Sequence, residues 1–258
     1  MNKYNKRPPE KDFIYGIHPV MEALKQGKEF EKILLQKDTG GNMFKEMFQM
    51  IRRAGVRFQY VPVQKLDRIT RKNHQGVIAF TSLVSYVSVE EVVTSAYEQG
   101  KAPLVLILDK VTDVRNLGAL SRSAECAGVD AIVFPAQNSA LINSDAVKSS
   151  AGALLKIALC KSNNLKETIN NLKDSGLKIV SATEKSDKLL YETDLSGPLA
   201  FIMGSEGEGI SGEYLKLSDE KVAIPLLGEI ESLNVSAAAA VMLYETVRQR
   251  IASGQIKT

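Results

Sequence analysis

The sequence predicts an α/β protein with a small front module followed by a larger, mostly parallel sheet covered on both faces. Three observations carry this. From Pro103 onward, short apolar runs alternate with amphipathic stretches of helical period, the pattern of a strand–helix–strand chain. The run at 104–108 reads Leu-Val-Leu-Ile-Leu, apolar at every position as in a strand buried on both sides. The charge also changes where the pattern changes. Residues 1–84 carry 16 Lys and Arg against 8 Asp and Glu, while the remainder carries 17 against 22. A basic front on an acidic back suggests a polyanion-binding module beside something else.

In the front module, His18 and Pro19 open a short helix that ends before Gly27, and 32–36 is a strand. Met43, Met47, Met50 and Ile51 share one face of a second helix that stops at Gly55, a core stripe by composition and spacing. Strands follow at 58–61 and 77–81, the last preceded by a His74-Gln75-Gly76 turn. Lys65, Arg68, Arg71 and Lys72 form the densest basic cluster, either a phosphate-gripping surface or a solvated helix face. Ser88 and Glu91 form a capping box for a short helix in a connector broken by Gly100 and Pro103. The back half then reads strand 104–108, a helix to Gly128, strand 131–134, helix 165–175, strands 177–182, 199–203 and 222–225, and a last helix over 234–251. The apolar face of that helix is Val235, Ala238, Ala239, Met242, Leu243 and Val247. The expected organisation is a tail at 1–11, a module at 12–84, a linker at 85–102 and a second domain at 103–258.

Composition excludes several classes. At 258 residues, 44% hydrophobic and 24% charged, the chain buries a real core and is neither disordered, collagen-like nor a coiled coil. No apolar run approaches the ~18 residues of a membrane span. The polar start with Pro8 and Pro9 lacks the apolar core of a secretory leader, so a cytoplasmic protein is expected. Cys126, Cys160, His18 and His74 are not spaced as metal ligands, so no metal is expected, and both cysteines are read as small buried hydrophobes.

Ligands of such a sheet sit beyond the carboxyl ends of its strands, and three loops there carry chemistry. After 104–108, Asn116 stands as a helix cap, Gly118 keeps the first turn slim, and Arg122 lies one turn on. Arg122 either adds fixed positive charge for a phosphate or ionising hydroxyl, or pairs structurally with Asp109 or Asp113. After 199–203, Gly207, Gly209 and Gly212 match the dinucleotide glycine spacing, with Glu229 at the distance of a ribose contact. Only 46 residues follow Gly212, and Glu206 and Glu208 would repel a pyrophosphate. The loop therefore better suits a neutral or cationic ligand approached closely by backbone. After 222–225, Ser232 and Asn234 are helix-cap residues, and the four alanines at 237–240 admit close packing.

Together these loops resemble the SpoU (TrmH) class of the SPOUT RNA ribose methyltransferases. The family's first motif, Asn-x-Gly-x-x-x-Arg, is matched by Asn116, Gly118 and Arg122. The second is matched by Gly204, Glu206, Gly207 and Gly209, and the third by Ile224, Pro225 and Ser232 to Ser236. The front half resembles the ribosomal-protein-like RNA-binding domain of the ribosomal RNA subgroup through Tyr15 to Pro19 and His74 to Ala79. The resemblance implies a deep trefoil knot formed by the chain after 199–203, with S-adenosylmethionine bound there largely by backbone. Its contacts would come from Gly204, Gly209, Ile224, Leu226 and Leu233. It also implies methylation of a guanosine ribose 2′-hydroxyl in 23S, large-subunit RNA or an assembly intermediate of that subunit, and a homodimer through the last helix. Arg122 would activate the hydroxyl by stabilising charge, Asn116, Ser232 and Asn234 would orient the ribose and Arg122, and Glu206 would hold Arg122 or favour the cationic donor. Lys65, Arg68, Arg71 and Lys72 would grip RNA. Alternative substrates are a transfer-RNA guanosine or a 23S adenosine, the latter as in resistance enzymes. From other classes, a non-catalytic assembly factor and a nicotinamide oxidoreductase remain as rivals.

Overall fold

A computed structural model describes residues 13–37 and 39–256; the expected tail at 1–11 lies outside them. The chain forms two compact units that divide between Leu83 and Val84.

The front unit contains β1 (Phe13–Tyr15), α1 (Ile17–Lys25), β2 (Phe30–Gln36), α2 (Asn42–Arg53), β3 (Phe58–Val61), α3 (Val63–Asp67) and β4 (Val77–Thr81). Its sheet runs in the order β1-β4-β2-β3, with β2 and β3 parallel and the other pairs antiparallel. α1 begins one residue before His18, so Pro19 is its third residue, still in the first turn where no N–H is required. The methionine stripe is shifted. Met47 and Ile51 are buried as expected, but Phe44 takes the place of Met43, which is 39% exposed. The larger aromatic ring fills more of the core.

The second unit contains α4 (Val89–Glu98), β5 (Leu104–Leu108), α5 (Val114–Cys126), β6 (Ala131–Pro135), α6 (Ser144–Ser149), β7 (Ala158–Ser162), α7 (Leu165–Asp174), β8 (Lys178–Ala182), β9 (Leu199–Met203), α8 (Gly212–Leu217), β10 (Glu220–Val222) and α9 (Val235–Ala252). Its six strands are all parallel in the order β10-β8-β9-β5-β6-β7. Alternation along the strands splits the core. Leu104, Leu106, Leu108, Phe201 and Met203 pack with residues of α5 and α9. Val105, Ile107, Ala200 and Ile202 pack with α4 and α7. Every residue of β5 and β9 is therefore buried, as a central parallel strand requires.

Several sequence expectations change here. The stretch 85–102 is not a free connector. The Ser88 hydroxyl caps α4 by accepting from the Glu91 N–H at 3.3 Å, and Val89 and Val93 join the second unit's core. β7 is an edge strand that sequence reasoning missed: the apolar run Ile157 to Cys160 is short and gives way to the polar Lys161 and Ser162 within the strand. β10 ends at Val222, so the expected strand at 222–225 begins earlier and is shorter. Gly118 is required by packing: a Cβ there would stand 2.3 Å from the Ser149 Cβ.

The cysteines also differ from each other. Cys160 is buried, and burial pushes its thiol up to about 12, whereas Cys126 is exposed, contrary to expectation. A thiol reagent at pH 8 should therefore modify one cysteine of the native protein, Cys126, and reach the second after unfolding; peptide mass mapping checks this.

Candidate functional site

The parallel sheet delivers the loops after β5, β8, β9 and β10 to one edge, because all four strands end in the same direction. Two of these loops are tied together at their base. The Asp109 N–H donates to the Met203 carbonyl at 2.8 Å, and the buried Asp109 carboxylate accepts from the Ser211 N–H at 2.7 Å. The loop after β9 folds tightly on itself: the Gly209 N–H donates to the Ser205 carbonyl at 3.0 Å, and Gly209 has φ +69°. Gly204 lies beneath this turn. A Cβ on it would fall 2.1 Å from the Gly209 carbonyl carbon and 2.3 Å from the Ile210 nitrogen, so no other residue fits this backbone.

A cleft of about 290 Å³ opens above that turn. The five residues the family resemblance assigned to the cofactor, Gly204, Gly209, Ile224, Leu226 and Leu233, all line it, with Glu206 and Ser232. Sequence reasoning missed the wall formed by Ala182 at the end of β8 with Thr183, Glu184 and Lys185 after it, and by Met203, Ile210 and Leu215. The rule that ligands lie at carboxyl strand ends could have found the first group, since 177–182 was already read as a strand. The combination of apolar walls, close backbone and carboxylates suits a ligand with a flat apolar ring and a positive charge, and S-adenosylmethionine is such a ligand. Glu229 is not among the lining residues, and Gly212 starts only a six-residue helix, so the dinucleotide spacing has no matching structure.

Beside the cleft, three loops meet through side chains. The Asn116 Nδ2 donates to Glu206 Oε1 at 3.1 Å. The Asn234 Nδ2 donates to Asn116 Oδ1 at 3.0 Å and also to Glu206 Oε1. Asn234 serves as the N-cap of α9, its Oδ1 accepting from the Ser236 N–H at 3.0 Å. Asn116 is not a cap. Asp113 caps α5 by accepting from the N–H groups of Arg115 and Asn116, which holds its carboxyl below the usual range and leaves the Asn116 side chain to cross to the other loops. Glu206 binds these two amides, not Arg122. Glu208 pairs with Lys110 at 2.7 Å, and that ammonium holds its carboxyl below the usual carboxylate range. Ser232 makes no hydrogen bond to the Asn116–Glu206–Asn234 group among the described residues.

Arg122 lies exposed on α5. Neither structural pairing considered from sequence occurs, because Asp109 is held by Ser211 and Asp113 caps the helix. In the front unit, Lys65, Arg68, Arg71 and Lys72 are all exposed. Lys65 lies in α3, Arg68 caps its end and the other two follow it, so they are not one solvated helix face. The Lys72 ammonium stands 5.9 Å from the Tyr15 ring centroid. Among the described residues, no group of three or more His, Cys, Asp or Glu could hold a metal ion, and no helix is long and apolar enough to cross a membrane.

Comparison with known proteins agrees with this geometry. Residues 103–244 match the SpoU rRNA Methylase family and residues 13–87 match the family described as RNA 2′-O ribose methyltransferase substrate binding. The chain is 35% identical over 244 residues to the 23S rRNA (guanosine-2′-O-)-methyltransferase RlmB of Vibrio parahaemolyticus, covering 94% of this chain and 98% of that protein. The structure of the SpoU methyltransferase AviRb from Streptomyces viridochromogenes in complex with AdoMet is similar with a TM-score of 0.60 and 22% identity, over 97% and 95% of the two chains. The TrmH/SpoU tRNA modifying enzyme of A. aeolicus is similar with a TM-score of 0.55 and 27% identity, over 64% of this chain and 85% of that one. The chain therefore belongs to the SpoU family, with a SPOUT α/β fold, and is an S-adenosylmethionine-dependent RNA 2′-O-ribose methyltransferase.

Proposed function

We propose that the protein methylates the ribose 2′-hydroxyl of a guanosine in large-subunit ribosomal RNA, or in an assembly intermediate of that subunit, in the cytoplasm. The observation that carries this reading is the Asn116–Glu206–Asn234 junction beside a cleft built by Gly204, with the exposed Arg122 on the helix that supplies Asn116. The ribosomal target is supported by the 35% identity to RlmB across nearly the whole chain. The front unit supports it too, since the transfer-RNA enzyme of A. aeolicus is similar over only 64% of this chain.

When bound, S-adenosylmethionine supplies a methyl group on a sulfonium. The chain's own residues then hold the acceptor. In this reading the chain after β9 threads into a trefoil knot. There, Gly204, Gly209, Ile224, Leu226 and Leu233 bind the cofactor through backbone and apolar contact. Glu206 keeps Asn116 and Asn234 in place, and with Ser232 these orient the ribose. Positioning of donor and acceptor itself lowers the barrier by several kcal/mol, up to about 7–11. Arg122 does not take the hydroxyl proton, because a guanidinium only donates hydrogen bonds; the proton passes to solvent as the oxygen gains the methyl group. It stabilises the oxygen as negative charge develops and holds the adjacent phosphate. Lys65, Arg68, Arg71 and Lys72 bind phosphates, which makes affinity salt-dependent. A homodimer through α9 is consistent with the exposed Tyr244 and Ile251, seven residues apart on one face of that helix.

Four experiments test this. Labelled methyl donor and a large-subunit transcript should give methylated RNA, and a 2′-deoxy nucleotide at the acceptor should abolish it; equal labelling of both would remove ribose as the acceptor. Mass spectrometry of RNA from cells with and without the protein then separates guanosine from adenosine and ribosomal from transfer RNA. Arg122→Ala should lower turnover by about 100- to 1,000-fold with cofactor affinity nearly unchanged, and near-native turnover would take Arg122 out of the reaction. Gly204→Ala should do the reverse, weakening cofactor binding in a calorimetric titration and costing ~1–3 kcal/mol of stability through overpacking.

A further inference from the structure

We propose that a polar pocket in the front unit, at the carboxyl end of β2, receives one unpaired nucleotide of the RNA substrate. Arg71 and Lys72 would face its phosphate, and Gln36, Thr39 and Asn73 its base edge. This rests on the reading of the front unit as the RNA-binding part and gives it a specific reading point. The pocket is an open depression of about 490 Å³, lined by these five residues with Asp67, His74 and the turn that follows it; the Asp67 carboxylate is engaged by the His74 ring, which lowers its repulsion of a phosphate held by Arg71 and Lys72.

The floor is built rigidly. His74 is buried, its Nδ1 accepts from the Gly76 N–H at 3.0 Å, and its Nε2 lies 3.0 Å from Asp67 Oδ1. With Nδ1 accepting, the ring proton sits on Nε2 and is donated to the carboxylate. Gln75 adopts a left-handed backbone, φ +51°, and its side-chain oxygen accepts from the Ile17 N–H at 3.0 Å. The Gln36 N–H donates to the Gly76 carbonyl at 2.8 Å. Gly76 has φ +79°, and a Cβ there would stand 2.9 Å from Thr39 Oγ1 and 3.2 Å from the Gln36 Cβ. The missing side chain thus lets both residues close over the turn.

One feature points to a ligand. Thr39 Oγ1 is buried and has no hydrogen-bond partner among the described residues. Native proteins rarely leave such an atom unsatisfied. Around it stand the amides of Gln36 and Asn73, each able to donate and accept, the combination that reads base edges. Arg71 and Lys72 add the positive charge a phosphate needs. A paired base cannot enter a pocket of this kind, whereas an unstacked loop base can.

The test compares full-length protein with Thr39→Val, Asn73→Ala and Lys65→Ala variants. Each is titrated at several salt concentrations with a large-subunit RNA stem-loop and with a fully paired duplex of equal length. Thr39→Val keeps the side-chain shape and removes the hydroxyl; Asn73 is exposed, so its truncation does not threaten the fold. Each of these two should weaken stem-loop binding about tenfold and leave duplex binding and the salt slope unchanged. Lys65, outside the pocket, should affect both RNAs alike and reduce the slope by about 1. If Thr39→Val and Asn73→Ala leave stem-loop binding intact, or weaken both RNAs equally, the pocket is not a nucleotide site, while the RNA-binding reading stands. If the unaltered protein shows no salt-dependent affinity for either RNA, that underlying reading fails as well.

Discussion

The constraint on which the rest of the second unit depends is the approach of two backbone segments at Gly204. The strand β9 ends there, and the chain turns back so closely that the Gly209 carbonyl and the Ile210 nitrogen fill the space a side chain would need. That contact sets the direction of the loop 204–210, and with it the height of the cleft floor and the position of Glu206. The buried Asp109 reinforces it from below by fixing Ser211 to the end of β5. A loop held in this way presents backbone groups without paying conformational entropy at the moment of binding.

Glu206 shows what this rigidity accomplishes. Its carboxylate is an acceptor only, and two side-chain amides from distant parts of the chain donate to it. Three loops that are separate in sequence are thereby locked into one surface, and the orientation of each amide is fixed by its donor role. The neighbouring Glu208 is directed outward to Lys110. Two carboxylates two residues apart thus have different partners, because one faces the helix starts of α5 and α9 and the other faces the loop after β5.

Two arginines mark the contrast between structural and available charge. Arg250 in α9 is buried and donates to the carbonyls of Ser196, Gly197 and Pro103 at 2.8 to 3.3 Å; burial lowers its pKa from the usual guanidinium value. It stitches the end of the last helix to the sheet, so its truncation would take the side-chain donor from the Ser196 and Gly197 carbonyls, while the Pro103 carbonyl would keep the Leu199 N–H. Arg122 lies exposed on a helix whose cap is already supplied by Asp113. Exposed charge is available to an external partner, and Arg71 and Lys72 are likewise exposed beside the pocket of the front unit.

The sequence by itself determined the layered α/β class, because runs such as 104–108 and 199–203 can be satisfied only between two covering layers. It also revealed the three loops, because glycines, amides and a lone arginine at strand ends have few other uses. It did not reveal β7, whose mixed polarity suits an edge, or Phe44 in place of Met43, since helical phase is ambiguous by one position when both neighbours are apolar. Tertiary structure alone decided that Asp113, not Asn116, caps α5, that Glu206 holds amides and not Arg122, and that Thr183 to Lys185 wall the cleft. Each of these is a choice among partners far apart in the chain, and local pattern carries no information about which distant group arrives first within hydrogen-bonding reach.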